Sequence, residues 1–93
     1  MPSSSVVWYV YILRCADGSL YVGETWDVAA RVMKHNEGGG SGFTATRRPV
    51  ALVYSESHHN RASALDRERQ LKHWTKRKKE ALIERDLAKL KRS

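Results

Sequence analysis

The chain has one cysteine, no long apolar run and few acidic residues. A single cysteine, Cys15, excludes an intramolecular disulfide and any zinc site built on paired cysteines. It suits a reducing compartment. No apolar stretch approaches the roughly 18 residues needed to span a bilayer. The opening segment, MPSSSVVWYVYILRC, has no basic stretch ahead of its short aromatic run, so it reads as a strand and not as a signal peptide. A soluble, cytoplasmic protein is the expectation. Ten Asp and Glu stand against 17 Lys and Arg, a net charge of +7 over 93 residues. Excess positive charge on a small domain points to a polyanionic partner, with nucleic acid the first candidate. A chain this short has room for one domain and buries roughly 60–65% of its unfolded surface, so any site is expected in a surface cleft.

Residues 1–5 form a short polar tail, expected to be disordered, and residues 6–93 a single domain. Val6 to Arg14 is rich in Val, Tyr, Trp and Ile and apolar on both faces, as a central strand must be. Asp17-Gly18 is a hairpin signal, and Leu20 to Glu24 is the returning strand. Thr25 or Asp27 can cap a helix that runs to about Asn36, with Val28 and Val32 on its apolar stripe and Ala29 and Met33 beside them. Arg31 and His35, four apart, share a neighbouring face. Gly38 to Arg48 reads as a flexible loop, Pro49 closes it, and VALVYSES is a third strand. Asn60 caps a helix from Arg61 to about Trp74, and Thr75 caps a last one from Lys76 to about Leu90, with Lys79, Ile83, Leu87 and Leu90 inward. The order β-β-α-β-α-α predicts an α+β domain, a small three-stranded antiparallel sheet flanked by helices. There is no internal repeat.

The inward stripe of the helix from Arg61 reads Ala64, Leu65, Glu68, Leu71 and Trp74 or Thr75, and Glu68 is the odd member. A carboxylate on an apolar face needs a partner. A salt bridge to Arg31 or Lys72 would supply one. So would a metal ion: one hard oxygen ligand suits Mg²⁺, which keeps most of its waters and takes substrate phosphate oxygens. Tyr11 and Tyr21 pack as ordinary strand aromatics unless a cation or base stands near their hydroxyls, and Arg31 and His35 are of the right types. The adjacent His58 and His59 point apart and read as loop residues, not as a shared metal site.

These residues together resemble the GIY-YIG nuclease superfamily, as a small stand-alone member. The half-motifs are Tyr9-Val10-Tyr11 and Tyr21-Val22-Gly23; DVAARVMKHN carries Arg31 and His35, and ALDRERQLK places Glu68. The resemblance runs from about Val7 to Ile83. It implies metal-dependent endonuclease cleavage of DNA phosphodiesters, on structured or damaged DNA. It implies that Tyr11, helped by His35 or Tyr21, deprotonates the attacking water. Arg31 then stabilises phosphate charge, and Glu68 holds one Mg²⁺ or Mn²⁺ against the leaving 3′ oxygen. Glu24 departs from the pattern, because repair-incision relatives carry a lysine after the second half-motif. A carboxylate there disfavours phenolate, or makes an outer contact to the metal. Larger members carry a separate DNA-binding domain; here specificity is expected from the domain, the substrate's shape or a protein partner. Arg47, Arg48, Lys76 and Arg77 are expected to contact phosphates. A non-catalytic nucleic-acid-binding module, or an adaptor on a nuclease fold, is the competing expectation.

Overall fold

The computed structural model describes the backbone from Val6 to Arg92 and the side chains from Val6 to Ala88. The expected tail at residues 1–5 and the inward position given to Leu90 lie outside the described residues. The elements are β1 (Trp8–Arg14), β2 (Leu20–Thr25), α1 (Val28–Asn36), α2 (Gly42–Ala45), β3 (Ala51–His58), α3 (Arg61–His73) and α4 (Lys76–Arg92). The expected order holds, with the short α2 added. The sheet is antiparallel in the order β2-β1-β3, so β1 is the central strand that its two apolar faces demand.

Local chemistry makes these elements. At the hairpin, Cys15 donates its N–H to the Ser19 carbonyl and Gly18 donates to the Cys15 carbonyl, both at 2.9 Å. The resulting three-residue loop puts Gly18 at φ 86°, a conformation open to glycine. Asp27 caps α1 by accepting from the Ala30 N–H at 3.0 Å. Asn60 caps α3 through Ser63 at 2.8 Å, and Thr75 accepts from Lys78 at the start of α4.

Alternation along β1 sorts the core into two clusters. Val10 lies opposite Glu24 and Glu56, and Ile12 opposite Val22 and Tyr54. On this side α3 and α4 cover the sheet, burying Val10, Ile12 and Val22 with Ala64, Leu71 and Ile83. The pairing of β1 with β3 slips by one residue beyond Ile12, so that Val53 and Tyr54 both reach this cluster. Tyr11 lies opposite Gly23 and Ser55, on the other side with Leu13, Cys15 and Val50. Here α1 and α2 form the cover, and Val32 and Tyr21 pack against the cluster.

Four expectations need correction. Gly38 to Arg48 is not a structureless loop: Ser41 caps α2 by accepting from the Thr44 N–H at 3.1 Å. Arg48 ties the segment down by donating to the Ala45 carbonyl at 3.0 Å and the Asn36 carbonyl at 3.3 Å. Met33 is 63% exposed, and the one residue of α1 that is fully buried is His35. Leu87 is 50% exposed, because α4 covers the sheet only as far as Leu82 and Ile83. His58 ends β3 instead of lying in a loop; its ring meets the Glu56 carboxylate and the Ser63 hydroxyl, each at 2.7 Å.

Candidate active site

Tyr11 sits mid-strand on the central strand, and its ring crosses the neighbouring edge strand at Gly23. A side chain at position 23 would run into the Tyr11 hydroxyl and ring. Glycine in β2 therefore lets a core tyrosine carry its hydroxyl to the sheet's margin. There it meets His35 from α1, with 3.0 Å between the phenol oxygen and Nε2. His35 Nδ1 is 2.7 Å from the Thr44 hydroxyl of α2. Thr44 in turn lies 3.0 Å from the Ser41 hydroxyl and 3.4 Å from the Ser41 carbonyl. His35 and Thr44 are both fully buried. A side chain at Gly40 would strike the His35 ring, so the glycine-rich segment also has a packing role. Tyr21 closes the group, its ring edge-on to His35 at 5.0 Å and tilted to Tyr11 at 6.4 Å.

Burial pushes the Tyr11 phenol up to about 12, with Tyr21 and Glu68 adding to the rise, while the positive charge of nearby Arg31 works against them. Burial also lowers the His35 pKa, and the cations Arg31 and Lys34 lower it further. The imidazole is thus neutral at pH 7, with one N–H. One arrangement serves every group. Thr44 donates to the Ser41 carbonyl, His35 Nδ1–H donates to Thr44, and Nε2 accepts the phenol proton. The reverse tautomer would leave the phenol O–H without an acceptor among the described residues.

Glu68 arrives from the opposite side of the sheet. Its helix, α3, covers the Val10 and Ile12 face, yet its charge still raises the Tyr11 pKa slightly. The carboxylate is 17% exposed and pairs with Lys72 at 3.2 Å. The structure thus brings Tyr11, Tyr21 and His35 into direct contact, with Arg31 and Glu68 near enough for their charges to act on the Tyr11 phenol. Glu24 lies on the α3 side of β2. One of its oxygens is 3.5 Å from Arg61, and the other is buried with no hydrogen-bond partner among the described residues.

The expected phosphate contacts are more dispersed. Arg47 donates to the Phe43 carbonyl at 2.8 Å, pairs with Asp17 at 3.2 Å and covers the Phe43 ring at 4.0 Å. With Arg48 bonded as above, both arginines hold the fold locally. Lys76 brings its ammonium to Gly18 at the hairpin tip. Arg77 stands on the outer face of α4 among Glu80, Glu84 and Arg85. Sequence reasoning missed the support from Ser41 and Thr44, while the salt bridge it offered between Glu68 and Lys72 is present. It also missed Phe43, signalled only as a lone aromatic in a polar segment. Lys72, Lys79, Phe43, Leu20, Tyr21 and Val22 line a groove of about 200 Å³ beside the site. A larger hollow of about 660 Å³ lies between α1 and β3, lined mainly by Tyr9, Trp26, Val28, Ala29, Val32 and Leu52. Its one acidic group, Asp27, is spent on capping α1, so it is not the chemical centre.

An antiparallel three-stranded sheet with a tyrosine pair at its margin, a helical Arg and His, and a carboxylate from a later helix defines a GIY-YIG domain. The family model described as the GIY-YIG catalytic domain matches residues 7–81, and the chain belongs to that nuclease superfamily. Among individual proteins it is similar to the UPF0213 proteins of Staphylococcus aureus strains Mu3 and Mu50. Each is 52% identical over 75 residues, which covers 81% of this chain and 92% of theirs. It is also similar to the solution NMR structure of the UPF0213 protein BH0048 from Bacillus halodurans. That match has 42% identity and a TM-score of 0.55, covering 84% of this chain and 83% of that one. Among the described residues no helix is long and apolar enough to cross a membrane.

Proposed function

We propose that the protein is an endonuclease that hydrolyses DNA phosphodiester bonds with the help of one Mg²⁺ or Mn²⁺, on structured or damaged DNA. The observation that carries this reading is the hydrogen bond from the Tyr11 hydroxyl to neutral His35 at the β2 margin, where Arg31 and Glu68 also act on the phenol. A phenol with a pKa of about 12 is ionised in roughly one molecule in 10⁵ at pH 7. Tyr11 therefore works as a relay: it takes the proton of the attacking water as it passes its own to His35 Nε2. Arg31 lowers the cost of charge on the phenol oxygen and faces the substrate phosphate.

The residues present fit a single divalent ion. Glu68 already stabilises a cation, the Lys72 ammonium, and offers hard oxygen donors. Among the described residues no group of three or more His, Cys, Asp or Glu gathers, so substrate and water would complete the coordination. When bound, such an ion supplies charge neutralisation at the phosphate and the leaving 3′ oxygen. Lys72, released from Glu68 by such an ion, would be free to meet the phosphates. Arg47, Arg48, Lys76 and Arg77 contact the backbone more remotely, which positions DNA without reading its sequence. Selection then rests on substrate shape or on a protein partner. The single buried thiol of Cys15 suits the cytoplasm.

The test is cleavage of linear, single-stranded, flapped and branched DNAs with Mg²⁺, Mn²⁺ or EDTA, wild type beside Tyr11→Phe and Glu68→Ala. Metal-dependent cutting that falls about 10³-fold in both variants is the expected result. One observation favours a second reading, a nucleic-acid-binding module. Glu24 follows the second half-motif as a carboxylate with one buried oxygen that has no hydrogen-bond partner among the described residues, where repair-incision relatives carry a lysine that could assist the tyrosine. Salt-sensitive binding with no cutting in either metal would select it.

A further inference from the structure

The groove beside the site shares Tyr21 and Lys72 with it, but its Phe43 and Lys79 have no part in the chemistry above, and its lining is unusual for a basic domain. Its members are Leu20, Tyr21, Val22 and Phe43, rimmed by Lys72 and Lys79. Phe43 is 39% exposed in a segment otherwise rich in Gly, Ser and Thr. Its ring is held nonetheless. It stacks on Tyr21 at 6.1 Å with an interplanar angle of 26°. Arg47, which does not line the groove, lies over the ring at 4.0 Å. A fixed aromatic wall facing a small, mainly apolar hollow that two lysines also line suits a flat heterocycle joined to an anion. The hollow, about 200 Å³, admits one nucleobase and not a base pair. It is continuous with the catalytic margin: Tyr21 contacts both Phe43 and His35, and Lys72 holds Glu68.

We infer that Phe43, Tyr21 and Lys79 form a binding site for one unstacked nucleotide of the DNA strand next to the phosphate that is cut. The base seats against Phe43 and Tyr21, and its phosphate lies on Lys79, joined by Lys72 once Glu68 is released. The site takes strands with an unpaired base at this position, and a continuous duplex cannot fill it. This rests on the nuclease reading above.

The test is fluorescence anisotropy of a labelled single strand and a blunt duplex of the same sequence, in Ca²⁺ or EDTA so that nothing is cut, at several salt concentrations. Phe43→Leu keeps bulk without a π face, and Phe43→Tyr keeps both. Phe43→Leu is expected to lower the ratio of single-strand to duplex affinity by about 5- to 20-fold, with Phe43→Tyr close to wild type. Lys79→Met is expected to reduce the slope of log K against log salt by about one for the single strand. An unchanged ratio in Phe43→Leu, or an equal loss on both DNAs, overturns the nucleotide site. If wild type cuts DNA while the ratio is unchanged, the site alone fails. If wild type neither binds nor cuts any DNA, the nuclease reading fails with it.

Discussion

The two faces of this sheet are built from alternate residues of the same strand, yet they have different interiors. The face covered by α3 and α4 buries Val10, Ile12, Val22, Ala64, Leu71 and Ile83, an apolar cluster. The face covered by α1 and α2 buries Tyr11, His35 and Thr44 beside Leu13 and Cys15. Each fully buried Leu or Ile on the first face contributes about 1.5–3 kcal/mol. A buried neutral hydrogen bond on the second contributes only about 0.5–1.5 kcal/mol, and breaking it costs more than that. The first face supplies stability. The second spends burial on holding a phenol, an imidazole and two hydroxyls in register.

The sharpest way to test that division is to damage each face separately. Gly23→Val should lower cleavage about 10³-fold, because Tyr11 cannot keep its place across β2, while the urea midpoint moves far less. Leu71→Ala should do the reverse, costing about 2–5 kcal/mol of stability in urea titrations with little change in activity per folded molecule. If Gly23→Val unfolds the chain as thoroughly as Leu71→Ala, the two faces do not divide the work. His35→Gln comes next, at about 1–3 kcal/mol from unsatisfied partners. It also has a pH signature. The folded state depresses the His35 pKa, so its contribution is fully present above the ordinary value of 6.5. That contribution is lost as pH falls below 6.5 towards the depressed value, because the unfolded chain takes up the proton first. Denaturation at pH 7.5 and 5.5 should show this slope in wild type and a flatter one in the variant. Carboxylates held low, such as Glu56 beside Tyr54, His58 and Arg67, weaken the fold only below 4.5, a separate window. The smallest effect is Lys72→Met. Removing a helical pair with Glu68 should tighten Mn²⁺ binding about twofold, measured by calorimetry without DNA.

What the sequence made legible was local. The Asp17-Gly18 turn, the caps at Asp27, Asn60 and Thr75, and the apolar run of β1 each declare themselves within a few residues. The family pattern added Tyr11, Tyr21, Arg31, His35 and Glu68 in order, and of these the fold puts Tyr11, Tyr21 and His35 in direct contact. The rest depends on partners distant in sequence or hidden by composition. Ser41 and Thr44 order a stretch whose glycines suggested none, through side-chain bonds that composition does not show. The slip beside Val53 depends on the pairing of β1 with β3. Helical periodicity puts Lys79 inward, but its place at the groove follows from the edge of β2, which that periodicity does not see.

The strand order also sets a timetable. β1 meets β2 through a three-residue loop, whereas β3 returns to it only after an excursion of about forty residues that contains α1 and α2. Hairpin closure is a microsecond event, and the long-range pairing is slower. Tyr11 and Gly23 therefore meet early, while His35 and Thr44 travel on the excursion and are fixed when β3 docks, with Asn36 bonded to the Val50 backbone at 2.7 and 3.0 Å. Hydrogen exchange followed during refolding should protect the amides of β2 before those of β3. A chain released before that last pairing has its tyrosines but no proton acceptor beside them. The hydrogen-bonded group around Tyr11 is then completed only when the fold is nearly finished.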